Sequence, residues 1–164
     1  GLPGVGKSDM LQLLVKDLSD EFFEGASYDQ VVYSRKAEME YWDGYETHKK
    51  IILYDDAFQQ VDSAQKPNVE FMEIIRLANG ESYQLHMADV EKKSNTFAYP
   101  HFVFMSTNDH NPTPVSIKEP EAFNRRIDVD VEVFVTDKFG RRTMFGNHRH
   151  NVPCIKKIAT QQNP

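Results

Sequence analysis

Cysteine is nearly missing from this chain. Cys154 is the single one among 164 residues, so no internal disulfide can form. That scarcity, with no hydrophobic leader ahead of the first motif, points to a reducing compartment. Long apolar runs are missing too: the longest, such as Ile51 to Tyr54 and Phe102 to Met105, suit strands, whereas a membrane span takes about 20 residues. No membrane segment is expected in this stretch. Nor is there an excess of positive charge, since 19 Lys and Arg stand against 25 Asp and Glu for a net −6. A general polyanion-coating protein is thereby excluded, and any nucleic-acid contact has to come from a local basic patch. Internal repeats and low-complexity tracts are absent. What is present, 40% hydrophobic and 27% charged residues, is too apolar for a disordered chain, and at this length about two thirds of the unfolded surface can be buried. One soluble globular domain is expected.

Periodicity places the elements. Leu11, Leu14, Val15, Leu18 and Phe22 fall on one helical face opposite Lys16, Asp17, Asp20 and Glu21, which predicts an amphipathic helix from Ser8 to about Phe23, closed by Gly25. Strands are predicted at Val31 to Tyr33, Ile51 to Tyr54 and Phe102 to Met105, the last two continuous enough to be buried on both faces. Phe71, Met72, Ile74, Ile75 and Leu77 space as a helix stopped by Asn79-Gly80. Tyr83 to Met87 and Thr96 to Tyr99 flank the polar stretch Asp89 to Asn95, which suits a hairpin with a charged tip. Glu121 to Asn124 ends a short helix, and Val129 to Val135 alternates as a last strand. Strands alternating with helices predict an α/β fold with a mostly parallel sheet. The chain opens at Gly1 inside a loop motif that normally follows a buried strand, so a piece of a longer protein is expected. Its core is expected over residues 1–136, with a C-terminal extension over 137–164 that periodicity does not place.

Three motifs carry chemistry. Gly1-Leu2-Pro3-Gly4-Val5-Gly6-Lys7-Ser8 satisfies G-x-x-x-x-G-K-[ST]. In such a loop the glycines let successive backbone N–H groups turn inward around phosphate oxygens, the lysine reaches the β and γ phosphates, and the hydroxyl ligates Mg²⁺. The helix that follows adds its positive dipole end. Gly1, Pro3, Gly4, Val5, Gly6, Lys7 and Ser8 are therefore the candidate nucleotide-binding residues, and a simple Gly-rich turn is the bland alternative. The second motif is the strand Ile51 to Tyr54 ending in Asp55 and Asp56. A phosphate-loop NTPase needs one carboxylate to hold Mg²⁺ and one to polarise the attacking water. Asp55 is assigned to the metal with Ser8, and Asp56 to the water. The third is Phe102 to Met105 followed by Ser106-Thr107-Asn108. If that strand lies beside the acidic one, Asn108 can hydrogen-bond the nucleophilic water and sense the γ phosphate, though Asn at a strand end is also ordinary turn chemistry.

Taken in order, with the residues between them, these motifs resemble the superfamily 3 helicases of picornavirus-like positive-strand RNA viruses. The resemblance is carried by the phosphate loop at 1–8, Y-W-D-G-Y at 41–45, Y-D-D-A-F-Q at 54–59, M-A-D-V-E-K-K at 87–93, M-S-T-N at 105–108 and F-N-R-R-I-D-V at 123–129. Rep-type helicases of small DNA viruses share the W-D-G-Y and acid-pair features but not the Met87 to Lys93 stretch. The resemblance implies a P-loop NTPase core, AAA+-like, that lacks the strand before the phosphate loop. In that class the missing strand sits beside the sensor strand, so a gap in the sheet or an exposed slot beside Phe102 to Met105 is expected. It also implies ATP and Mg²⁺ as cofactors, Lys92 and Lys93 on single-stranded RNA, and Arg125 or Arg126 as a finger on a neighbouring subunit's γ phosphate. A finger supplied in trans implies a head-to-tail homo-oligomeric ring, a hexamer by resemblance. Other viral replication proteins would be its partners, at membrane-associated replication sites in the host cytoplasm.

Other features are assigned to structure. Trp42 and its tyrosine neighbours are expected to pack the core rather than stack bases. Glu46-Thr47-His48 stands where many relatives have Gly-Gln, so no role is given to it. His148, His150 and Cys154 lack the four ligands and paired spacing of a structural zinc site. Two functions remain to be separated: a motor that pulls RNA by hydrolysing ATP, and an ATP-driven remodelling scaffold that unwinds nothing.

Overall fold

The central strand of the fold is the one with the most continuous apolar run. In the computed structural model, which describes residues 3–36, 38–109, 111–135 and 153–158, strands β1 (Val32–Arg35), β2 (Ile51–Ala57) and β5 (Phe102–Thr107) form a parallel sheet in the order β1-β2-β5. Val32, Ile51 and Phe102 stand in register across it. Because side chains alternate along a strand, Ile51 and Leu53 join Val15 of helix α1 (Lys7–Phe22) on one face. Ile52 and Tyr54 turn the other way, into the larger core with Phe71, Ile74, Ile75 and Leu77 of helix α3 (Val69–Leu77). The α/β architecture with a parallel sheet between helices is thus what the pattern predicts.

Short elements complete the chain. Helix α2 (Tyr28–Val31) leads into β1, and the two-residue strands β3 (Tyr83–Gln84) and β4 (Phe97–Ala98) pair antiparallel around helix α4 (Val90–Lys93). Helix α5 (Glu121–Asn124) precedes strand β6 (Asp130–Val135), which pairs antiparallel with β7 (Pro153–Ile158). Trp42 is 1% exposed and packs among Tyr33, Tyr45 and the α3 residues, as the core assignment expects.

Two expectations need correcting. The tip between β3 and β4 is a turn of helix capped by the Asp89 carboxylate on Glu91 N–H at 2.9 Å, because a local cap satisfies that backbone better than a charged hairpin loop does. The buried stripe of α1 is narrower than its periodicity: Val15 and Ser19 are buried, while Leu14 and Phe22 are 46% and 57% exposed. Phe22 lies against Phe102 with ring centroids 5.4 Å apart, at the rim of the sheet. Among the described residues no strand pairs with the outer edge of β5, where Phe102 to Met105 are half-buried. The last strand, β6, pairs with β7, a strand that periodicity did not place. His148 and His150 lie outside the described residues.

Candidate functional site

The site begins where α1 begins. Gly4 and Gly6 have φ of 76° and 89°, a left-handed backbone that a side chain would strain. Gly6 is the N-cap of α1 and brings no side chain to cap it. The first-turn N–H groups of α1 therefore face outward with the positive end of the helix dipole, the arrangement that binds an anion. Pro3, Gly4, Val5 and Gly6 make this loop; Gly1 lies outside the described residues.

Across from the loop, β2 and β5 end side by side. Ser8 Oγ donates to Asp55 Oδ1 at 2.9 Å, and Lys7 Nζ donates to Asn108 Oδ1 at 2.6 Å. Asn108 Nδ2 stands 3.5 Å from Asp56 Oδ1, at the long limit of a hydrogen bond. Lys7, Ser8, Asp55, Asp56 and Asn108 come from three elements far apart in sequence and meet in one place. The parallel β2–β5 pairing brings the strand ends together, and the register shifts between Tyr54 and Ala57. Asp56 and Phe58 there have φ of 53° and 63°. Left-handed backbone is tolerable for Asp but costly for Phe, so the surrounding contacts must hold it, as at many functional sites.

The donor set suits a hard divalent cation. A hydroxyl and a carboxylate lie within hydrogen-bond distance, and Mg²⁺ at phosphate sites takes only one or two protein ligands, the rest coming from phosphate and water. Among the described residues no three His, Cys, Asp or Glu side chains group to hold a metal by themselves.

The remaining candidates lie elsewhere. Lys92 and Lys93 are exposed on α4, and among the described residues no hydrogen bond joins them to the nucleotide site. Arg126 is held in its own chain, with Nε and Nη2 donating to Asn79 Oδ1 at 3.1 and 2.6 Å and Nη1 to the Ala122 carbonyl at 3.2 Å. Arg125 is exposed and its guanidinium has no partner among the described residues.

Comparison with known proteins meets this geometry. The profile of the RNA helicase family matches residues 1–109, from the phosphate loop to just past Asn108. The chain belongs to the RNA helicase family. It is 39% identical to the replicase polyprotein of Drosophila C virus over 150 residues, 90% of this chain and 8% of that protein. Against the replicase polyprotein of acute bee paralysis virus it is 37% identical over 143 residues, 85% of this chain and 8% of the relative. The genome polyprotein of human rhinovirus C is 29% identical over 143 residues, 87% of this chain and 6% of the relative. The chain thus spans less than a tenth of the length of these relatives. The resemblance to superfamily 3 helicases of picornavirus-like viruses is borne out. Membership implies nucleotide use. Among the described residues no helix is long and apolar enough to cross a membrane.

Sequence motifs pass over one residue of the candidate site. Ser106 Oγ donates to Asp55 Oδ1 at 2.6 Å and accepts the Asp56 N–H at 3.0 Å, so one hydroxyl on β5 braces both acids of β2. The signal was present in the small hydroxyl two residues before Asn108, but its partners are 50 and 51 positions away and appear only when the strands pair. Ser106→Ala should lower nucleotide turnover about tenfold, the kinetic equivalent of one hydrogen bond to a charged group of about 1.5 kcal/mol. Steady-state hydrolysis rates of the variant and wild type check this, with melting temperatures to show equal folding.

A second clamp holds the chain beyond Asn108. Asp62 accepts N–H bonds from Asn68, Val115 and Ser116 at 2.7, 2.6 and 2.8 Å. Burial alone raises its carboxyl, but these donors outweigh it and hold the group below its ordinary value.

Proposed function

We propose that this chain is the nucleotide-hydrolysing part of a viral RNA helicase that cleaves ATP during replication of an RNA genome. The observation that carries this is the meeting of Lys7 and Ser8 with Asp55, Asp56 and Asn108 behind an uncapped helix N-terminus. Backbone N–H groups of Gly4, Val5 and Gly6 and the Lys7 ammonium would bind the phosphates, while Ser8 and Asp55 would hold Mg²⁺. Mg²⁺ held by these residues would supply positive charge beside the phosphate oxygens. Asp56 accepts a hydrogen bond from the attacking water and polarises it, and Asn108 orients that water against the γ phosphate.

Arg125 is our choice for the finger, because Arg126 already spends its guanidinium on Asn79 and Ala122. A finger acting in trans calls for a homo-oligomeric ring, hexameric by resemblance, in which Lys92 and Lys93 contact single-stranded RNA. The replicase polyprotein relatives support other replication proteins as its partners, and we place it at a membrane-associated replication site in the host cytoplasm.

The test is Mg²⁺-dependent ATP hydrolysis by the chain, expressed with whatever native sequence flanks it, with and without single-stranded RNA. Turnover that rises with RNA in wild type and loses that rise in Lys93→Ala is the expected result. Hydrolysis indifferent to both RNA and Lys93 would replace the motor with a remodelling scaffold and reassign α4 to a protein contact.

A further inference from the structure

Helix α3 turns two buried carboxylates, Glu70 and Glu73, 5% and 7% exposed, toward the strand that carries the acid pair. Glu73 Oε2 accepts the Tyr54 hydroxyl at 3.0 Å, and Tyr54 is the residue before Asp55. Glu70 Oε2 accepts the Phe58 N–H at 2.8 Å, two residues beyond Asp56. Asp55 and Asp56 are thus held from both sides by one helix, across the left-handed backbone that needs such support.

Glu73 also faces away from the acids. Its Oε1 accepts the Trp42 indole N–H at 3.1 Å and Arg35 Nη2 at 2.8 Å, and its Oε2 accepts Arg35 Nε at 3.2 Å. Trp42 in turn donates its backbone N–H to the His86 carbonyl at 2.9 Å, and Asp43 Oδ1 lies 3.4 Å from the Ala88 N–H. Residues 86–88 run straight into Asp89, the cap of the helix that bears Lys92 and Lys93. A carboxylate offers about four acceptor sites, and with these bonds Glu73 has all of them filled. A saturated network in a close-packed interior has little slack, so a displacement at one end is passed on rather than absorbed.

We propose that Glu73 is a positioning residue that couples α4 to the acid pair, so that RNA held at Lys92 and Lys93 raises turnover at Asp55 and Asp56 through Trp42, Glu73 and Tyr54. This rests on the proposed RNA contact, and the experiment separates the two.

The readout is the stimulation ratio, hydrolysis with an unstructured oligouridine RNA divided by hydrolysis without it. A variant that merely loses folded protein lowers both rates alike and leaves the ratio unmoved. Tyr54→Phe removes one hydroxyl and little else. Trp42→Phe removes the indole N–H at the other end of the link. In each, basal hydrolysis persists and the ratio drops about fivefold or more, the lower end of ordinary coupling between sites. Should Lys93→Ala abolish stimulation while both Phe variants keep the wild-type ratio, the coupling is overturned and the RNA contact stands. A drop in Tyr54→Phe alone also overturns it, since the route through Trp42 is then idle. If RNA does not stimulate wild type, or Lys93→Ala keeps the full ratio, the RNA contact fails and the coupling fails with it.

Discussion

Arg125→Ala protein and Asp56→Asn protein are each expected to be nearly inactive alone and to recover ATP hydrolysis when mixed. The first loses Arg125, which as the proposed finger would supply the cation that stabilises charge on the transferred phosphoryl group, worth about 10³ to 10⁵ in rate. The second loses the group that polarises water, worth about 10² to 10⁴. Mixing restores complete sites because an Arg125→Ala subunit keeps its own acids and receives Arg125 from an Asp56→Asn neighbour. A finger acting within its own chain gives no recovery, and that result removes the ring argument. Arg126→Ala should behave differently, since its guanidinium is tied to Asn79 and to the Ala122 carbonyl. Its loss falls on local stability and not on the complementation pattern.

Glu73→Ala should destabilise the fold by about 3–5 kcal/mol, the usual cost of removing one partner of a buried ion pair. Arg35 and Glu73 have side chains 2% and 9% exposed and lie 2.8 Å apart. Arg35 also rests on the Trp42 ring at 4.6 Å and donates to the carbonyls of Lys36 and Met39, both at 2.8 Å. Without the carboxylate, a buried guanidinium loses its counter-charge, and the Trp42 indole N–H and the Tyr54 hydroxyl lose their acceptor. In the intact network Tyr54 is the donor, because burial and then the Glu73 charge push its phenol well above the ordinary value. Against a typical stability of about 5–15 kcal/mol the loss is large. Denaturant midpoints measure it, with the paired Arg35→Met, Glu73→Leu variant as the control. Apolar replacement of both partners should cost less than Glu73→Ala alone. A shift below about 1 kcal/mol for Glu73→Ala would show that the pair contributes little beyond what water supplies.

Much of the fold is legible in the sequence because burial leaves a pattern there. Ile51 to Tyr54 and Phe102 to Met105 read as strands since a parallel sheet covered by helices asks for unbroken apolar runs. α1 reads from its loop and its 3.6-residue period. α4 does not, because four residues show no period and its helix depends on one cap at Asp89. β7 is illegible for a related reason: its pairing with β6 is made across residues 136–152, a separation that periodicity cannot see.

By itself the sequence determined the candidate chemistry. Phosphate, metal and water each demand particular residue types at short, fixed spacing, so Lys7-Ser8, Asp55-Asp56 and Asn108 announce themselves wherever the chain runs. Only the tertiary structure decided what surrounds them. Sequence spacing gave no role to Glu70, Glu73 or Ser106. Their partners lie up to 51 positions away, and whether a carboxylate is exposed, or buried and satisfied, depends on donors that only folding brings within hydrogen-bond distance.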